Sequence, residues 1–169
     1  KTRYNTQNTM DLNIDFPNRG HGYDEEDVKI IEEILYNDDV SLSKGKYVQM
    51  FEDKFSELIG YESFTTMSGA HALDLAAILI DTNAKDEIII PAHTYCASAL
   101  SFVRHNAKIK WADINKESLT VSLESIKKLV TSNTKAIVVV HLYGLICPEI
   151  DDIVNFAKNR GIIIIEDCA

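Results

Sequence analysis

The stretch Gly161-Ile162-Ile163-Ile164-Ile165-Glu166-Asp167-Cys168-Ala169 decides the fold: four consecutive isoleucines leave no polar face, and two carboxylates follow at once. A strand apolar on both sides needs cover on both sides. Working outward, Glu149 to Arg160 reads as a helix closed by Gly161, and Lys135 to Val140 as a strand whose run Ile137 to Val140 is again apolar throughout. The same alternation continues upstream. Leu123 to Val130 reads as a short helix behind the cap Ser122, Lys108 to Ala112 as a strand, and Thr94 to His105 as a helix. Glu87 to Ile90 is a strand, Gly69 to Ile80 a helix, and Glu62 to Met67 a β-rich segment. Strands apolar on both faces, alternating with helices, predict the α/β class: a mostly parallel sheet covered by helices on both faces.

Before Gly60 the pattern is helical only. Asp24 to Tyr36 opens with four acidic residues, which favour a helix N-terminus, and then places Val28, Ile31 and Ile34 or Leu35 on one side. Lys46 to Ile59 sets Val48, Phe51, Phe55 and Leu58 at helical spacing, with Gly60 as its stop. Asn37 to Gly45 reads as the loop between them. The expected division is a helical segment over 1–60 and an α/β unit over 61–169, the first being either a separate unit or an arm of one domain.

Composition narrows the classes. The 169 residues are 46% apolar and 25% charged, and 17 basic against 26 acidic side chains give a formal charge of −9. That is a soluble globular profile, long enough for one substantial core, since a domain of roughly 150 residues hides about 70% of its unfolded surface. No apolar run approaches the ~20 residues of a membrane span, and the start Lys1 to Asn18 is polar and acidic, unlike a signal peptide. Three cysteines, Cys96, Cys147 and Cys168, fall in no metal or redox spacing and suit a reduced, cytoplasmic protein. The acidic balance argues against a nucleic-acid partner but leaves anionic small ligands open, because backbone amides bind them without net positive charge. With no polar tail after the last strand, the chain reads as cut, and the α/β domain is expected to be incomplete at its C-terminus.

Ligands of parallel α/β sheets bind beyond the carboxyl ends of the strands. Four sets of residues fall there: Ser68-Gly69-Ala70-His71, Pro91-Ala92-His93-Thr94-Tyr95, His141-Leu142-Tyr143-Gly144 and Glu166-Asp167. The first is a strand-to-helix turn expected to leave the amides of Gly69, Ala70 and His71 unpaired, which serves either as a plain helix cap or as a phosphate cradle. Tyr95 is either a core tyrosine or a stacking face for a planar ligand. His93 and Cys96 lack partners at ligand spacing, so no metal site is expected. Burying an unpaired carboxylate costs several kcal/mol, so Glu166 and Asp167 must each meet a partner: a helix cap, a salt bridge or a ligand. Neighbours on an extended chain point to opposite faces, so only one of the two serves a site.

Taken together and in this order, the four sets resemble the DegT/DnrJ/EryC1/StrS family of pyridoxal-phosphate (PLP) sugar aminotransferases. The resemblance runs from about Gly20 to Ala169. It includes Ser41-Leu42-Ser43-Lys44-Gly45, Phe51-Glu52 to Gly60, Asp86 to Pro91, Trp111-Ala112-Asp113-Ile114, Thr134 to Ile137, His141 to Gly144 and Ile165 to Ala169. It implies part of the large domain of a fold-type-I PLP-dependent transferase, with PLP as cofactor. By similarity the backbone of Ser68, Gly69, Ala70 and His71 cradles the phosphate, Tyr95 stacks on the ring, and Asp167 pairs with the pyridine nitrogen, favouring its protonated form. Glu166 then points away. Two departures stand out. Ser68-Gly69-Ala70 replaces the family's frequent Ser-Gly-Thr, losing a hydroxyl, and no lysine here matches the family's Schiff-base lysine, which follows the Glu-Asp motif by a few tens of residues. The 169 residues by themselves are therefore expected to be inactive.

The resemblance implies amino transfer from an amino acid, glutamate, to a nucleotide-linked keto-deoxysugar in amino-sugar or cell-surface polysaccharide biosynthesis, by a cytoplasmic homodimer. Alternatives are a PLP- or pyridoxamine-dependent sugar dehydratase of the same family, with histidine in place of the lysine, and a non-catalytic truncated relative. A doubly wound nucleotide module without PLP is disfavoured, since the seven glycines form neither G-x-G-x-x-G nor G-x-x-x-x-G-K.

Overall fold

The computed structural model describes residues 22–37 and 45–169. The polar start Lys1 to Asn18, Gly20, and Ser41 to Lys44 with most of the expected loop lie outside the described residues. The chain divides into two compact units between Thr65 and Thr66.

The first unit holds α1 (Glu25–Tyr36) and α2 (Lys46–Ile59). Asp24 caps α1 through the amides of Glu26 and Asp27, and Asp27 reaches back to the amide of Asp24, closing a reciprocal box. Gly60 ends α2 at φ 76°, a left-handed conformation that glycine adopts without the Cβ penalty. The helices meet where Tyr47 Oη donates to Glu33, 3.2 Å away. Neither helix buries a residue, so the stripes read as amphipathic stay open within this unit.

The β-rich segment expected over Glu62 to Met67 is not a strand. Its backbone groups are met by α2 side chains instead of a ladder: the Ser63 amide donates to Ser56 Oγ (2.9 Å) and the Thr65 amide to Glu52 (2.7 Å). Local side-chain bonds thus replace the pairing that its β-branched residues favour.

The second unit runs α3 (Gly69–Leu79), β1 (Glu87–Pro91), α4 (Ala97–Arg104), β2 (Lys108–Ala112), α5 (Leu123–Leu129), β3 (Thr134–Val140), α6 (Ile150–Lys158) and β4 (Ile163–Asp167). The described strands form one parallel sheet in the order β2-β1-β3-β4. Both sheet faces are covered, as the apolar runs predict. Ile88, Ile90, Ala136, Val138 and Val140 pack with Ala77 of α3 and Ala99 and Phe102 of α4. Ile89, Ile137 and Val139 pack with Ile126 of α5 and Ile153 and Ala157 of α6. Each fully buried isoleucine contributes about 2 kcal/mol of transfer free energy, so this two-sided core dominates the stability. β4 lies at one end of the described sheet, and there Ile163 remains 39% exposed.

The strand order places the site. The chain steps from β1 out to β2, then crosses back past β1 to β3. With right-handed crossovers, that reversal puts α4 on one face and α5 and α6 on the other. A crevice therefore opens between the carboxyl ends of β1 and β3, where the connections part to opposite faces.

Candidate active site

A cavity of about 380 Å³ occupies that crevice, within the range typical of small-molecule sites. Its wall contains Ser68, Gly69 and Ala70 from the start of α3, Thr94, Tyr95 and Ser98 from the entry to α4, Val140 at the end of β3 and Leu142 after it, and Asp167 at the end of β4. Five of the six residues named from sequence as cofactor contacts are thus brought together: Ser68, Gly69, Ala70, Tyr95 and Asp167. His71 is the sixth and does not line it.

The α3 turn explains why. Ser68 caps the helix by accepting the His71 amide at 3.3 Å, and its hydroxyl lies 2.9 Å from His71 Nδ1. Three free amides were expected; His71 N–H is taken by the cap. The amides of Gly69 and Ala70 have no acceptor among the described residues, and both sit at the positive end of the α3 dipole. Ser101 of α4 pins this turn by donating to the Ala70 carbonyl at 3.2 Å. A Cβ on Gly69 would meet Ala169 Cβ at 3.8 Å, an ordinary van der Waals contact.

Tyr95 is 73% exposed, a free aromatic face rather than a core tyrosine. It lies before α4, which starts at Ala97 and not at Thr94 as its sequence predicts. His93 Nδ1 lies 3.4 Å from the Leu119 carbonyl, and Cys96 is exposed. Among the described residues no group of His, Cys, Asp or Glu is arranged to hold a metal.

The two carboxylates of β4 part as alternation requires. Asp167, on the face of Ile165, turns to α4 and accepts from Ser98 Oγ at 2.8 Å. Its other oxygen accepts the Ala169 amide at 3.2 Å. Glu166, on the face of Ile164, turns the other way and lies 3.0 Å from His141 Nε2. His141 Nδ1 accepts the Cys147 amide at 3.1 Å, so the ring proton resides on Nε2 and is donated to Glu166. His141, read from sequence in a ligand-binding candidate set, therefore acts as a strut between β3 and β4 on the face opposite the cavity, while Leu142 of the same set lines the cavity. Burial and the charges of Glu166 and Asp167 push the neighbouring Cys168 thiol above its ordinary value. Sequence reading placed Thr94 in its second candidate set without a role of its own and missed Ser98, whose hydroxyl carries no motif and which stands 69 positions before the carboxylate it meets.

The parallel α/β unit thus gathers a helix N-terminus, an aromatic face and one inward carboxylate around a switch-point cavity. Comparison with known proteins gives the assignment. The chain belongs to the DegT/DnrJ/EryC1/StrS aminotransferase family, which it matches over residues 22–169. It is 39% identical over 128 residues to the GDP-perosamine synthase of Vibrio cholerae, covering 75% of this chain and 35% of that protein. Among solved structures, an aminotransferase from Psychrobacter cryohalolentis superposes with a TM-score of 0.81 at 30% identity, over 87% of this chain and 37% of the other. The E. coli GDP-4-keto-6-deoxy-D-mannose-3-dehydratase with bound hydrated PLP gives 0.79 at 27%, over 88% and 39%. The chain thus spans about a third of the length of the curated relatives it matches first. No helix among the described residues is long and apolar enough to cross a membrane.

Proposed function

We propose that this cavity holds PLP, and that the protein transfers an amino group from glutamate to the keto group of a nucleotide-linked deoxysugar. The observation that carries the reading is Asp167, the single acidic residue in the cavity wall, set in one cavity with the acceptor-free amides of Gly69 and Ala70. The residues present fit the group. Two free amides at a helix N-terminus suit a phosphate, Tyr95 offers a ring face, and Asp167 keeps lone pairs beyond those used by Ser98 and Ala169.

When bound, PLP supplies the electron sink that amino transfer needs. The roles of this chain follow from its chemistry. The Gly69 and Ala70 amides bind the phosphate and set the position of the ring along the crevice. Asp167 holds a proton on the ring nitrogen by accepting it in a charge-assisted hydrogen bond. Tyr95 covers one ring face and keeps water from it. Ser68 holds the turn together, and His71 serves that cap. No lysine lines the cavity, so the amine that exchanges protons with the substrate is not among these wall residues, and we propose that the 169 residues by themselves bind without turnover.

The similarity to GDP-perosamine synthase supports a GDP-linked keto-sugar as acceptor and a role in amino-sugar or cell-surface polysaccharide biosynthesis. The family resemblance supports a homodimer, and three cysteines without a disulfide suit the cytoplasm. A dehydratase reading draws support from the second structural match and uses the same cavity residues. Incubating a full-length protein that carries these residues with PLP, L-glutamate and a GDP-linked 4-keto-6-deoxy sugar separates the two: an amino sugar is expected, a sugar that has lost a hydroxyl would favour the dehydratase, and failure to take up PLP in equilibrium dialysis would overturn both.

A further inference from the structure

Resting on the PLP reading of the cavity, we propose that Thr94 and Ser98 form a hydroxyl relay that positions the Asp167 carboxylate for the ring nitrogen. Ser98 is 1% exposed and donates to Asp167 Oδ2 at 2.8 Å. Thr94 Oγ1 lies 2.9 Å from Ser98 Oγ. A carboxylate only accepts, and a hydroxyl carries one proton. Ser98 commits its proton to Asp167, so Thr94 must be the donor in the second bond. The proton order is therefore fixed from Thr94 through Ser98 to Asp167, each bond polarising the next.

The geometry explains why a relay is needed at this place. Asp167 is the last residue of β4, at the end of the described sheet. Its backbone is held on one side, where its carbonyl accepts the His141 amide at 2.9 Å. An aspartate at a strand end keeps rotamer freedom unless its oxygens are bound. Ser98 removes that freedom from the α4 side and Ala169 N–H from the other, leaving the remaining lone pairs for the cavity. Ser98 itself cannot drift: it lies in the first turn of α4, and its amide donates to the Tyr95 carbonyl at 3.1 Å. Thr94 and Ser98 both line the cavity, but their hydroxyls are turned to each other and to Asp167. They are positioning residues that act through Asp167.

The test has an unloaded and a loaded arm. In crystals of the full chain without PLP, Ser98→Ala should let the Asp167 side chain leave the orientation seen here, and Ser98→Thr should restore it. With PLP labelled with 15N at the ring, Ser98→Ala should raise the dissociation constant about tenfold, the loss of one hydrogen bond to a charged group. It should also move the ring-nitrogen resonance toward the unprotonated position, with both effects rescued by Ser98→Thr. Thr94→Val, an isosteric change at a half-buried site that leaves the core untouched, should shift the resonance in the same direction by less, and it carries the test if Ser98→Ala does not fold. If Ser98→Ala leaves Asp167 in place and the resonance unmoved while PLP binds, the relay is wrong and the cofactor reading stands. If Asp167 moves in the unloaded variant but no chain takes PLP, the relay to Asp167 stands and the cofactor reading is wrong.

Discussion

Replacing Asp167 and Glu166 one at a time separates a site carboxylate from a structural one, since the two are adjacent in sequence and face opposite sides of β4. Asp167→Asn keeps the volume and an oxygen for Ser98 but removes the charge that holds a proton on the ring nitrogen. A hydrogen bond involving a charged group is worth about 1.5–3 kcal/mol, so PLP affinity should fall about tenfold to a hundredfold. Glu166→Gln still offers an oxygen to His141 Nε2, and the Glu166 side chain is 48% exposed. Because the Gln oxygen still accepts from His141 and the two side chains face opposite sides of β4, the effect on PLP affinity should stay within about twofold. Equilibrium dialysis of the full chain against PLP reads the affinities, and circular dichroism confirms that each variant is folded. Equal losses in the two variants, or an Asp167→Asn chain that binds like the parent, would refute the assignment of faces.

The other predictions probe the aromatic face, the far end of the sheet and the core. Tyr95→Ala should weaken PLP about threefold to tenfold, the range of an aromatic pair, whereas Tyr95→Phe should be near neutral; because the side chain is open to solvent, neither should alter the urea midpoint. At the amino end of β1, Glu87 is held below the ordinary carboxylate value, first by the Thr131 hydroxyl and then by Lys110. A lowered value in the folded state stabilises the fold above about pH 4.5 and loses that contribution as pH falls through the lowered value. Thr131→Val should therefore cost about 1.5–3 kcal/mol at pH 7 and progressively less in acid, read by urea unfolding across pH. Phe102→Ala, at a fully buried ring between β1 and α4, should cost about 3–5 kcal/mol, and a smaller loss would mean that this face of the core is loosely packed.

Most of the sheet was legible in the sequence because its signal is strong and local. Ile88 to Ile90 and Ile137 to Val140 are apolar at every position, which only a strand covered on both faces explains. The split of Glu166 from Asp167 was legible too, since it needs nothing beyond strand alternation. Glu62 to Met67 misled because propensity cannot foresee that Glu52 and Ser56, 13 and 7 positions away, would take the amides a ladder would have used. The free amide assigned to His71 was lost to its own cap, a choice decided by the rotamer of Ser68. Ser98 stayed hidden because a serine in a short helix looks the same whether it faces solvent or a carboxylate on a distant strand.

A crystal structure of the full chain with PLP tests the central claim most directly. The phosphate should lie on the Gly69 and Ala70 amides, with the ring nitrogen about 2.7–3.2 Å from an Asp167 oxygen and Tyr95 against one ring face. PLP bound with its ring nitrogen turned away from Asp167, or with its phosphate anywhere but the start of α3, would contradict it.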